Sequence, residues 1–142
     1  MNGMETENAT VMNVGPLIEA IKRHPDYERV GMILCHNGVV RGTSRDGRKV
    51  SGLKVFVNHE KLQQLIDTRK ATPGIIEILV QIAENRVLTV GEDVMLLVVA
   101  GDIRETVIAV LHETLDAIKT VVTEKTEFYS DGMGIGPAEA GI

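Results

Sequence analysis

Tryptophan is absent from this sequence, and two Phe with two Tyr bring the aromatics to only 3% of 142 residues. Aliphatic side chains must therefore fill the core, and the stacking platforms that hold single-stranded nucleic acid are missing. Positive charge is not in excess either. Fifteen Lys and Arg stand against 20 Asp and Glu, a net charge of −5, which argues against generic binding to nucleic acid or to anionic membranes. The single cysteine, Cys35, cannot form an internal disulfide. Met32, Ile33 and Leu34 before it point to a buried strand and an inert core thiol. His24, His36, His59 and His112 have no Cys or His at ligand spacing, so no metal site is expected. Walker loop, dinucleotide fingerprint and nucleophile elbow are all missing. No apolar run reaches about 18 residues, and the opening "MNGMETENAT" is polar and acidic. Neither a transmembrane span nor a secretory leader is expected, and the expected location is the cytoplasm.

What is present reads as one domain with one hydrophobic core. Residues 1–12 are expected to be disordered, 13–129 to form a single α+β domain, and 130–142, rich in glycine, to be a flexible tail. "NVGPLIEAIKRHP" reads as a helix with Pro16 in its first turn. "RVGMILC" reads as a buried strand, with "HNG" as a tight turn after it. "VVRGTS" and "VSGLKVFV" read as two more strands, joined through the Asp-Gly pair of "RDGRK". A helix comes next, capped by Asn58 and carrying Leu62, Leu65 and Ile66 at helical spacing. "IIEILVQIAE" fits either period, and its β-branched content favours a strand. "VMLLVVAG", apolar on both faces, is a central strand. The longest helix starts at "DIRETVIAVLHETLDAIKTVV", with Asp102 as cap and Glu105 three residues on, and "TEKTEFYS" is the last strand.

Two features could carry chemistry. Arg41, Arg45, Arg48, Lys49 and Lys54 crowd into residues 41–54 against one acid, Asp46. Such a cluster in an acidic protein suits a phosphate or carboxylate, although on sequence alone a charged hairpin guarding a sheet edge is the favoured reading. The second feature is a pair of cations on the long helix. Arg104 in its first turn opposes the helix dipole, whereas Lys119 at the other end is dipole-favoured and so by position an ordinary surface lysine. The two are fifteen residues apart, roughly 22 Å on a straight helix. If both act on one small ligand, the site has to be assembled across a dimer.

"NGVVRG", "VGEDV" and "VMLLVVAG" leading into "DIRETVIAVLHETLDAIKT" resemble the large, catalytic subunit of molybdopterin synthase, from about Arg29 to Thr120. The resemblance implies a hammerhead-type α+β fold, a mixed or antiparallel sheet with helices packed on it, and a homodimer. It implies a partner too: a ubiquitin-like small subunit whose C-terminal Gly-Gly thiocarboxylate delivers sulfur to cyclic pyranopterin monophosphate, forming the dithiolene of the molybdenum cofactor. No metal or organic cofactor is needed for that step. By resemblance Arg41 and Arg104 are anion ligands, with Arg45 and Arg48 in support, and Lys119 is the essential lysine. The family's histidine before Arg104 is Ile103 here. Its segment with a second lysine is "VTEKTEF", where Lys125 lies one position off the simple register, and its Phe-x-Gly aromatic is His36. The same residues also admit a dimeric relative that binds an anion or a partner protein without turnover.

Overall fold

A computed structural model describes residues 12–130 and 135–137. Most of the N-terminal stretch expected to be disordered and most of the glycine-rich tail lie outside the described residues.

The chain forms α1 (Val14–Lys22), a short 3-10 turn (Tyr27–Arg29), β1 (Met32–Val39), β2 (Val50–Val57) and α2 (His59–Lys70). Then come β3 (Ile75–Ile82), β4 (Val87–Thr89), β5 (Asp93–Gly101), α3 (Arg104–Ala117), a π turn (Ile118–Val122), β6 (Thr123–Tyr129) and β7 (Ile135–Pro137). Two sheets result, ordered β1-β5-β3 and β4-β2-β6-β7, and every pairing is antiparallel. The α+β class expected from the sequence is the class observed.

Burial explains the layering. From Val94 to Gly101, β5 is buried throughout, because its two faces serve two cores. Leu97 and Val99 join Leu53 and Val55 of β2, Leu88 of β4, Val107 and Val110 of α3, and Ile118 and Val122 in the main core. Val98 and Ala100 face the other way, under Ile21 of α1, which is fully buried. A strand covered on both sides must be apolar at every position, and that is how "VMLLVVAG" reads. The side chain of Asn13 accepts the Gly15 N–H at 2.9 Å to start α1, and that of Asn58 accepts the Lys61 N–H at 3.0 Å to start α2. Each satisfies one of the orphan donors of a first helical turn. "IIEILVQIAE" is the strand its β-branching favoured, with Ile78 and Ile82 on the core side.

Four local expectations are corrected. His36, Asn37 and Gly38 do not turn: β1 runs on through them, pairing Asn37 with Leu96 and Gly38 with Met95. The Asn37 amide donates instead to Asp93 Oδ1 at 3.2 Å, which serves the polar side chain without a turn. "VVRGTS" is accordingly no separate strand and keeps a single bridge, Thr43 to Lys49. The reversal happens at Asp46-Gly47, where Gly47 takes φ 89°. Asp102 does not cap α3 as a side chain over the helix. The N-cap is Ile103, and the Asp102 carboxylate accepts the Ile103 N–H at 2.7 Å. Cys35 is exposed rather than buried, since alternation puts it on the face of β1 away from the main core. The short β4 escaped notice because three residues carry too little periodicity to register, although Leu88 within it is fully buried.

Candidate active site

Lys119 and Lys125, separated by six positions in sequence, line one pocket. Its walls are Val55, Ile82, Val94, Met95 and Ile118, and its polar residues are His36, Thr123 and the two lysines. Among the described residues, no carboxylate lines it.

The π turn after α3 is what builds this pocket. Ile118 and Val122 are both buried in the main core, which anchors the two ends of the turn and leaves Lys119 beside the pocket. Backbone N–H and hydroxyl of Thr123 both donate to the Ile118 carbonyl, the hydroxyl at 3.0 Å, closing the turn. The Val122 carbonyl accepts the Asn58 N–H at 2.9 Å, tying the turn to the start of α2. A π turn takes in one more residue than an α turn, and such an insertion shifts the register of the downstream strand. β6 therefore enters its sheet with Lys125 directly opposite Val55, which is 1% exposed, so the lysine shares that inward face.

Burial dominates the electrostatics. Lys125 is pushed down to about 8, first by desolvation, then by the neighbouring charge of Lys119, with Glu127 pulling the other way. Its Nζ is buried and has no hydrogen-bond partner among the described residues. The Lys119 amine is lowered as well, by burial and then by Arg45, with Asp116 opposing. His36 is lowered by burial and by Lys119. Three basic groups thus line one pocket within reach of the Arg45 charge, and among the described residues no carboxylate lines it. Such a site holds an anion, or a group that develops negative charge as it reacts.

The remaining sequence-derived residues divide. Arg45 belongs with the lysines, since its charge reaches both. Arg48 stacks on the Tyr129 ring, with its guanidinium carbon 3.5 Å from the centroid, and so braces the loop against β6. That loop is tied internally: Ser44 bonds Asp46 through its hydroxyl, and the Arg48 N–H donates to Ser44 Oγ at 3.1 Å. Arg41 donates from Nε to the Thr43 carbonyl at 3.1 Å, bending along its own loop. Arg104 lies at the opposite end of α3, 75% exposed and 3.7 Å from Glu105. Within one chain it cannot meet Lys119. His36 was missed as a site residue, because a lone histidine in an apolar strand carries no spacing signal. Among the described residues no group of His, Cys, Asp and Glu could hold a metal ion, and no helix is long and apolar enough to cross a membrane.

Comparison with known proteins agrees with this architecture. The fold resembles that of molybdopterin synthase from Staphylococcus aureus at TM-score 0.65 and 23% identity, covering 77% of this chain and 82% of that one. It also resembles the molybdopterin biosynthesis MoaE protein from Burkholderia ambifaria MC40-6, at TM-score 0.68 and 16% identity, covering 92% and 84%. A third likeness is to the complex of subunits 1 and 2 of the molybdopterin-converting factor from Helicobacter pylori 26695, at TM-score 0.63 and 14% identity, covering 87% and 88%. No curated protein matches the chain. Identities this low speak for the fold. The sequence itself matches the MoaE protein family over residues 8–121, most of its length, and on that match the chain belongs to the MoaE family, that of the molybdopterin synthase large subunits.

Proposed function

We propose that this chain acts in molybdopterin biosynthesis, transferring sulfur from a thiocarboxylated ubiquitin-like small subunit to cyclic pyranopterin monophosphate. The observation that carries this reading is the convergence of Lys119 and Lys125 in an apolar-walled pocket that no carboxylate lines among the described residues. A thiocarboxylate tail and a phosphate-bearing substrate are both anions, and amines in a desolvated pocket attract them more strongly than amines in water. Lys119 stabilises the charge that develops where the thiocarboxylate meets the pterin. Lys125 supports it from the facing strand. Arg45 extends the positive field toward the substrate phosphate, and Arg41 and Arg48 hold the loop that carries Arg45. Family membership and the two-subunit Helicobacter complex support a small-subunit partner.

Arg104 enters from a second copy of the chain. Its distance along α3 from Lys119 forbids a shared ligand within one chain, which supports a homodimer with composite sites. Mixing Lys119→Ala with Arg104→Ala chains tests this directly. Each mixed dimer then holds one site with both residues intact, so the mixture regains activity that neither variant shows alone. Failure of the mixture to exceed its parents, with subunit exchange verified by native mass spectrometry, removes Arg104 from the site.

One observation favours a second reading, a dimeric relative that binds without turnover. Ile103 replaces the histidine that the family resemblance calls for, and it lies 55% exposed with no polar function to offer. Reconstitution decides between the two. The purified chain, a thiocarboxylated small subunit and cyclic pyranopterin monophosphate are combined, and dithiolene product is followed by mass spectrometry. Product formation is expected. A partner that binds without product being formed would establish the second reading. The cytoplasm is the expected setting for either.

A further inference from the structure

The pocket that holds Lys119 and Lys125 contains a nitrogen that neither lysine role uses. His36 Nε2 is buried and has no hydrogen-bond partner among the described residues. It sits on β1 opposite Leu97, in a strand whose next residue, Asn37, is held by its amide to Asp93. The ring is thus carried on rigid backbone. Among the described residues the charged groups facing it are Lys119 from the π turn and Lys125 from β6, both of which feel the charge of Arg45 from the loop. β5, β3 and β2 contribute Val94, Met95, Ile82 and Val55, none of which titrates. The acids near the lysines, Asp116 and Glu127, act on Lys119 and Lys125 and do not line the pocket.

Elimination then singles out one residue. A lysine ammonium has no lone pair to offer, and the Thr123 hydroxyl is a weak base already bonded to the Ile118 carbonyl. Burial and the Lys119 charge both hold the His36 imidazole below its ordinary value of 6.5, so near pH 7 it is neutral. Among the described residues that line this pocket, His36 is therefore the one that offers a free lone pair to a proton at neutral pH.

Sulfur transfer from a thiocarboxylate releases such a proton. Once the sulfur has bonded to the pterin carbon, the partner's terminal carbonyl remains joined to that sulfur. The acyl–sulfur bond must be cleaved by water before product and partner can part. We propose that His36 is the general base of this cleavage, its Nε2 accepting the proton of the attacking water. The water oxygen bonds to the carbonyl carbon, the C–S bond breaks, and its electron pair leaves on sulfur as the thiolate of the product. The partner departs as a carboxylic acid that ionises to the carboxylate, its proton passing to solvent, and the imidazolium returns its own proton there too. No oxidant or reductant is involved. The lysine ammoniums face the carbonyl oxygen on which charge accumulates.

This proposal rests on the sulfur-transfer reading, and the test separates the two. Wild type, His36→Gln and His36→Asn are each mixed with thiocarboxylated small subunit and cyclic pyranopterin monophosphate under single-turnover conditions. Intact-mass spectrometry follows both the covalent partner–pterin adduct and the free dithiolene. In the variants the adduct is expected to accumulate, with release slowed by about 10²-fold. The wild-type release rate is expected to fall on the acid side with a midpoint below 6.5, a limb the variants lack. Variants that release product within about two-fold of wild type and keep the acid limb overturn the role of His36 alone. A wild type that forms neither adduct nor product overturns the sulfur-transfer reading and this proposal with it. Should both variants melt early, the wild-type profile decides unaided: a release rate that stays flat well below 6.5 excludes His36 as the base.

Discussion

Replacing Lys119 by alanine lowers the rate of dithiolene formation by about 10³-fold, while the chain still folds and still binds the small subunit. The expectation comes from where the charge sits. Lys119 leaves the π turn between Ile118 and Val122, both in the core, so its backbone is fixed by packing that the substitution leaves intact. Its amine is half-buried against apolar walls, where a charge interacts with a reacting anion far more strongly than it would in water. Alanine removes that interaction at the moment of reaction and leaves the hydrophobic anchoring alone. Two internal checks accompany the rate. Lys119 is among the causes that depress both Lys125 and His36, so in the variant both groups titrate at higher pH. Following the His36 ring protons by NMR shows this shift if the pocket is intact. A Lys119→Ala chain that retains near-normal turnover would falsify the assignment.

Replacing Lys125 by methionine is expected to act in opposite directions on stability and on function. Sulfur transfer falls by about 10²-fold, and the fold becomes more stable by about 1–2 kcal/mol at pH 7 after allowance for solvent screening. Methionine keeps the length and flexibility of the lysine stem and removes a buried ammonium that has no hydrogen-bond partner among the described residues. The pH dependence has a definite sign. Folding takes Lys125 from 10.5 down to about 8. Below about 8 both folded and unfolded chains carry the ammonium, and the cost of burying it is fully present. Between about 8 and 10.5 the folded chain gives up the proton while the unfolded chain retains it, so wild-type stability rises with pH. Above that window both forms are neutral and the cost is gone. The methionine variant lacks this rise, and its advantage shrinks to nothing across the same window. Chemical denaturation at a series of pH values measures both curves. A wild type more stable than the variant at pH 7 would mean that Lys125 is held by a partner group, and the electrostatic account of the pocket would be wrong.

An unpaired ammonium in an apolar wall is a poor choice for stability alone. Its presence is intelligible when an anionic ligand completes it, since the ligand then supplies the partner that the described residues withhold. The lowered lysines, the neutral imidazole and a lining without carboxylates among the described residues are consistent with one another on that basis. Thermal stabilisation by a carboxylate-terminated Gly-Gly peptide would be expected to depend on Lys125 for the same reason.

Much of this fold was legible locally. β5 had to be a central strand because an unbroken aliphatic run can be satisfied only when both faces are covered, and both are. Asn58 announced its helix because a short side chain that accepts a backbone N–H acts within one turn. Gly47 marked the reversal because its positive φ is costly for other residues. Other features lay beyond any local signal. Whether His36-Asn37-Gly38 turned or stayed extended depended on Asp93, fifty-six positions from Asn37 in the chain, which accepts the asparagine amide. The meeting of Lys119 and Lys125 depended on a π turn held open by core packing of Ile118 and Val122, and on a ladder that set Lys125 against Val55. Spacing along a sequence cannot report a register that one inserted residue reverses. Propensity and patterning act through neighbours a few residues apart, and that range was enough to separate most strands from helices. A site is the intersection of elements brought together by burial. Two lysines and a histidine, each from a different segment, came to share one desolvated pocket, within reach of the Arg45 charge, only through long-range packing.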